Sequence, residues 1–284
     1  VETLTVAAPA KVNLFLHVVG RRADGYHLLE SLLALIDLAD TVTLARRPDG
    51  AIERTLDLPG VAVADDLAVR AAILLKEATG VREGASIAVD KRIPQGAGLG
   101  GGSSDAASVL LGLNRLWGLG LSREELANIG LSLGADVPFF VHGDNAFVRG
   151  IGEIVEPVSL PRRWLVLAMP AVHVSTGEIF AASELTRTAP SAKITVFSES
   201  YGSNALQPVA VARYPDVAGA LFAWKSLADV RMTGSGAAVF AACESETAAR
   251  SAIDALPAGV AGLAVRTLAR HPLAGFAQRS GRMA

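Results

Sequence analysis

The 284-residue sequence predicts an α+β protein built as two domains, residues 1–158 and 159–284. Three observations carry that expectation. The chain is longer than one compact core usually serves. Runs with period-two alternation and runs with 3.6-residue spacing are interspersed through it. Its character also changes at Trp164, beyond which short apolar strands, 165–169 and 237–242, mix with Ala-rich helices. With 51% hydrophobic but only 5% aromatic residues, the cores must be built from Ala, Val, Leu and Ile.

From Lys11 to Val19 the residues alternate, with Val12, Leu14, Leu16 and Val18 on one side and Lys11, Asn13, Phe15 and His17 on the other. This predicts a half-buried strand with Lys11 and Asn13 sharing a face. Asp24-Gly25 supplies a tight turn, and the apolar stretch 28–38 returns as the hairpin partner. Asp65 and Asp66 precede a helical stripe of Leu67, Ala71, Leu74, Leu75 and Ala78 that closes at Gly80, with Asp as N-cap. Ile87, Val89 and Ile93 mark another half-buried strand, stopped by Pro94. Ser104 and Asp105 then read as the cap of a helix with stripe Ala106, Val109, Leu110, Leu113 and Trp117. Ser122 and Glu125 form a capping box for a further helix ending near Gly134, and the first half closes around Pro157.

The net charge of −2 supplies no basic field for nucleic acid or an anionic membrane, so a small-molecule partner is expected. Cys243 is the only cysteine, which rules out an intramolecular disulfide and a cysteine-based zinc site. No charge-free apolar run approaches the ~18 residues of a membrane span, and Val1-Glu2-Thr3 begins no signal segment. The expectation is a cytoplasmic protein, monomeric or weakly dimeric.

Between the strand that stops at Pro94 and the next helix lies Pro94-Gln95-Gly96-Ala97-Gly98-Leu99-Gly100-Gly101-Gly102-Ser103-Ser104. Glycines let backbone N–H groups close on an anion, a helix N-terminus adds partial positive charge, and the two serines offer hydroxyls. Phosphate is the natural guest, against the alternative of a flexible surface loop. The dinucleotide-binding spacing is met by Gly96, Gly98 and Gly101, but the preceding strand carries Asp90, Lys91 and Arg92 where that fold wants a continuous apolar run. No Lys-Ser or Lys-Thr follows the last glycine, and neither Asp-Phe-Gly nor His-Arg-Asp occurs, so the Walker and protein-kinase patterns fail.

The segments 9–14, 22–27, 94–107, 133–140 and 231–237 together resemble, in order, the motifs of the GHMP kinases. The resemblance implies an N-terminal domain like ribosomal protein S5, with an uncommon left-handed βαβ unit, and a ferredoxin-like C-terminal domain. It implies transfer of the γ-phosphoryl of ATP, with Mg²⁺, to a hydroxyl of a cytidine diphosphate-linked methylerythritol in the cleft between them. No carboxylate cage is visible, so no protein ligand is assigned to the metal. By resemblance the glycine loop binds the nucleotide, Asp136 is general base, and Lys11 beside it offsets developing phosphate charge. Asn13 would orient the substrate hydroxyls, Tyr26 and Phe180 would stack on the cytosine, His27 would hydrogen-bond it, and Thr176 would contact substrate.

Each assignment has a plainer alternative. Asp136 could cap a helix, Lys11 could be a solvated charge, Tyr26 and His27 could close a hairpin, and Phe180 could be core. Thr233-Gly234-Ser235-Gly236 could be a simple glycine turn or a phosphate contact. Asp66 stands where relatives often carry Asn, so no amide contact to the nucleotide follows there.

Overall fold

The computed structural model describes residues 2–189, 203–227 and 229–279. A long antiparallel hairpin of β1 (Thr3–Arg21) and β2 (His27–Arg47) organises the first half, turning at Asp24 and Gly25 as expected. β1 runs the length of one edge of β2. The other edge is shared by β4 (Gly84–Asp90) and β5 (Ala146–Gly150). β3 (Ile52–Arg54) and β6 (Ile154–Pro157) complete a six-stranded sheet of order β3-β4-β2-β5-β6 with β1 on β2. β3 and β4 are parallel, and α1 (Leu67–Thr79) connects them as a βαβ unit.

Local chemistry sets the helix boundaries. Asp66 accepts a hydrogen bond from the Ala68 N–H at the start of α1, and Gly80 ends it in the left-handed conformation. Ser122 and Glu125 form the expected reciprocal capping box at the head of α3 (Arg123–Leu131). Next comes α4 (Val137–His142). The helix α2 (Gly101–Leu116) corrects the sequence reading: it starts inside the glycine run with Gly100 as N-cap, not at Ser104 or Asp105. Both of those residues are buried in its first turns.

The second half is a four-stranded antiparallel sheet, order β10-β7-β9-β8, from β7 (Trp164–Met169), β8 (Arg231–Met232), β9 (Val239–Cys243) and β10 (Ala261–Arg266). With α5 (Thr176–Ala181), α6 (Gln207–Arg213), α7 (Pro215–Ala223) and α8 (Glu246–Ile253), this gives the ferredoxin-like strand order that the resemblance implies.

Each half has its own core, and a third cluster joins them: Ala10, Val12, Ala34 and Ile36 pack with Leu165, Leu167, Ala238, Phe240 and Val265. Burying a Val, Leu or Ile side chain contributes about 1.5 to 3 kcal/mol, so this seam fixes the halves against each other. It also corrects the stretch of β1 from Lys11 to Val18, which is covered on both faces and not half-exposed: the second half packs on Val12, Leu16 and Val18, and on the opposite face Phe15 is buried against Leu32 and Phe147. Register shifts between Asn13 and Phe15 and between Val18 and Gly20 break the simple alternation.

The C-terminal stretch returns to the first half. Leu268 N–H donates to the Leu35 carbonyl, His271 N–H to Gly143, and Leu273 joins the first core. The buried Arg123 guanidinium donates to carbonyls at Val141, His142, Leu273, Ala274 and Ala277.

Candidate active site

β1 brings Lys11 and Asn13 to the inner wall of the cleft, sharing a face as their spacing predicts. Lys11 is 4% exposed; its Nζ donates to Asn13 Oδ1 at 2.6 Å and lies 3.5 Å from Asp136 Oδ2. Asp136 occupies the N-cap position of α4, yet its carboxylate caps nothing. Its backbone is αR (φ −82°, ψ −14°), whereas a capping side chain needs an extended residue to fold back on the first turn. The carboxylate therefore faces the cavity beside the ammonium.

Asn13 is more committed than its predicted role requires. Its Oδ1 accepts from Lys11 and from Thr233 Oγ1 at 3.2 Å, and its Nδ2 donates to Ser31 Oγ at 2.8 Å. One Nδ2 hydrogen remains for a substrate hydroxyl. Asn13 thereby holds the Lys11 ammonium beside Asp136.

The glycine loop approaches from the other side. Lys11 N–H donates to the Leu99 carbonyl at 3.0 Å, tying loop to strand. Gly100 stands at φ +74°, and a Cβ there would meet Phe140 at 3.0 Å and the Lys11 stem at 3.1 Å. No side chain caps α2, so its first N–H groups are left to face the cavity with the positive end of the helix dipole. Pro94 to Ser103 all line that cavity. Ser104 does not: fully buried, its Oγ donates to the Pro9 carbonyl at 2.7 Å, because the early helix start turns it toward β1.

Beneath the loop lies an acidic cluster that sequence reasoning missed. Lys91 Nζ bonds both Asp40 and, at 2.6 Å, Asp105. Asp105 is pushed up to about 7, first by burial, against the pull of Lys91 and with the push of Asp40. Nothing local in the sequence pairs three residues so far apart.

At the far end of the cleft Tyr26, His27, Thr176 and Phe180 line the same cavity. Tyr26 is 62% exposed at the hairpin tip. It is His27, not Tyr26, that stacks on Phe180, with centroids 5.0 Å apart and planes at 29°. Thr176 and Ser235 join hydroxyls at 2.7 Å, so the Gly234–Ser235 turn takes part in the cavity wall. Arg187, which no motif signals, donates to His27 Nε2 at 3.0 Å. Among the described residues no group of three His, Cys, Asp or Glu side chains gathers as a metal site.

These features surround one cavity of about 1010 Å³ running from the acidic cluster past Lys11 and Asp136 to Phe180. An anion cradle facing a carboxylate–ammonium pair, set between a βαβ half and a ferredoxin-like half, defines a small-molecule kinase of the GHMP class. Family models described as GHMP kinases N terminal domain and GHMP kinases C terminal match residues 66–144 and 185–262. The chain is 55% identical over 269 residues to the 4-diphosphocytidyl-2-C-methyl-D-erythritol kinase of Thiobacillus denitrificans, covering 95% of this chain and 97% of that one. It is 53% identical to the enzyme of that name from Cupriavidus necator, covering 95% and 94%. A crystal structure of 4-(cytidine 5'-diphospho)-2C-methyl-D-erythritol kinase superposes with a TM-score of 0.81 at 37% identity, over 93% of this chain and 99% of that one. The chain belongs to the 4-diphosphocytidyl-2-C-methyl-D-erythritol kinase family of the GHMP kinases. A homoserine kinase from Cytophaga hutchinsonii, at 17% identity and a TM-score of 0.71 over 95% and 96% of the two chains, shares the fold.

Proposed function

We propose that the protein transfers the γ-phosphoryl group of ATP to the 2-hydroxyl of 4-diphosphocytidyl-2-C-methyl-D-erythritol, a step of non-mevalonate isoprenoid precursor synthesis. The observation that carries this reading is the placing of Lys11 and Asp136 midway along one cavity, with the uncapped head of α2 at one side and the aromatic end at the other. We place the reaction in the cytoplasm, carried out by a monomer or weak homodimer, with domains 1–158 and 159–284 and the tail from Leu268 strapped to the first.

The β- and γ-phosphates lie against the N–H groups of Gly100 to Ser103, where backbone donors and the helix dipole compensate their charge. Mg²⁺ bound with the nucleotide would neutralise part of the phosphate charge; among the described residues no group of three His, Cys, Asp or Glu side chains gathers to hold it, so no protein ligand is assigned to it. Asp136 accepts the proton of the attacking hydroxyl and holds its oxygen in line with the γ-phosphorus. Lys11, aimed by Asn13, stabilises the negative charge that spreads over the transferring group. The phosphoryl transition state is loose, so positioning by the buried Lys11–Asn13–Ser31 chain supplies much of the rate.

A turnover panel tests this directly. With ATP, the cytidine diphosphate substrate should be phosphorylated, while homoserine, galactose and mevalonate, which bring no base to Tyr26, His27 and Phe180, should not. Faster turnover of any of those three, or ATP hydrolysis without transfer to an acceptor, refutes the assignment.

A further inference from the structure

The guanidinium of Arg187 is held on three sides by backbone. Its Nη1 donates to the Leu185 carbonyl at 3.0 Å, and its Nη2 to Phe180 at 3.2 Å and Ala182 at 2.7 Å. Two of these carbonyls lie at the C-terminal end of α5, where a cation is favoured. The Nε–H is thereby directed at His27 Nε2, 3.0 Å away. Phe180, whose carbonyl takes part in the clamp, also stacks on the His27 ring and fixes its plane.

An arginine is always protonated and has no acceptor, so His27 Nε2 must present a lone pair to it. Burial first, then the charges of Arg187 and Arg21, lower the affinity of His27 for a second proton, so the ring is neutral near pH 7. Its single proton is then on Nδ1. That nitrogen has no protein hydrogen-bond partner among the described residues, and His27 lines the cavity.

We infer that Arg187 is a positioning residue that sets base specificity by holding His27 as the Nδ1–H tautomer. The inference rests on the reading that the substrate carries cytosine at this end of the cleft. Cytosine N3 is a bare acceptor and pairs with an Nδ1–H donor. Uracil N3 carries a proton and meets that donor head on. Moving the histidine proton to Nε2 would expose a bare Nδ1 and reverse the preference, so the guanidinium selects the base without touching it.

The test joins ring ¹⁵N shifts of His27, assigned by their loss in His27→Gln, to kcat/KM for the cytidine substrate and its uridine analogue. The free wild-type protein should show His27 protonated at Nδ1. Arg187→Met should populate the Nε2–H form and lower the cytidine-over-uridine ratio by about tenfold or more, the scale of one unpaired polar group. Arg187→Gln, which keeps an N–H donor, should restore part of both. Wild-type His27 protonated at Nε2 overturns the inference whether or not any variant folds. So does equal loss on both substrates in Arg187→Met with the ratio kept, which would mean that the arginine only braces α5. A wild-type enzyme with no cytidine preference overturns the substrate reading and the specificity role together, while the tautomer is still read without substrate.

Discussion

Gly98 and Thr233 meet backbone to backbone: a Cβ on Gly98 would stand 2.3 Å from the Thr233 carbonyl oxygen. At φ +74° that glycine is also in a conformation side chains resist, so the glycine loop and the turn after β8 can close on each other only as they do. The same threonine reaches β1. Asn13 N–H donates to Thr233 Oγ1 at 2.9 Å, and the hydroxyl proton goes to Asn13 Oδ1. One fully buried side chain from the second half thus braces the residue that aims Lys11.

Thr233→Val keeps the shape and removes the hydroxyl. It should cost about 1 to 3 kcal/mol by leaving the buried Asn13 N–H without an acceptor. Because Asn13 orients Lys11, kcat should fall by about tenfold as well. Urea melts beside steady-state rates check both, and an unchanged kcat in a destabilised variant would show that the brace does not reach the catalytic pair.

The proposed phosphate cradle is best probed at Gly102, where a Cβ would meet only Leu67 at 3.4 Å and otherwise face the cavity. Gly102→Val should weaken ATP binding by at least about tenfold by filling the space before the helix amides, with little change in Tm. Gly101 is a poorer probe, since its Cβ would press on Ile93 at 3.0 Å. Calorimetry showing wild-type ATP affinity in Gly102→Val would remove the nucleotide from the head of α2.

Asp105 makes a pH-dependent contribution of definite sign. Its folded value of about 7 lies above the 3.8 of a free carboxyl, so the native state holds this proton more tightly than the unfolded chain. The resulting stabilisation is full below the unfolded value and is lost as pH rises toward and through 7. Asp105→Asn lacks this slope and leaves Lys91 with Asp40 alone. The stability of Asp105→Asn relative to wild type should therefore grow between pH 4 and pH 7 and level off above about pH 8. A difference that is flat over that range would mean that Asp105 is already ionised in the fold at low pH.

What the sequence revealed was mostly local. The turn at Asp24-Gly25, the Asp66 cap, the Ser122–Glu125 box and the common face of Lys11 and Asn13 depend on neighbours a few residues away. Family motifs reached further and brought Lys11 to Asp136 across a separation of 125 positions. Readings failed where tertiary context prevails. Ser104 looks like a cap because it follows glycines, but Gly100 in the left-handed conformation starts the helix first and sends the serine inward. The alternation of β1 implies a solvent face, but Phe15 on that face is buried against Leu32 and Phe147 and Lys11 and Asn13 line the cleft, while the second half packs on Val12, Leu16 and Val18 opposite. Neither the bond from Arg187 to His27 nor that from Asn13 to Thr233 leaves a local trace, being formed across 160 and 220 positions.

The most direct test of the central claim is the single-turnover rate of phosphoryl transfer in Asp136→Asn, with ATP affinity measured on the same protein. The side chain keeps its size and loses its basicity, so transfer should slow by about 10² to 10⁴-fold while nucleotide binding stays near wild type. Lys11→Met should be comparably slow, and the double variant should lose much less than the product of the two losses, because both act on one transferring group. Transfer in Asp136→Asn at close to the wild-type rate would contradict the account.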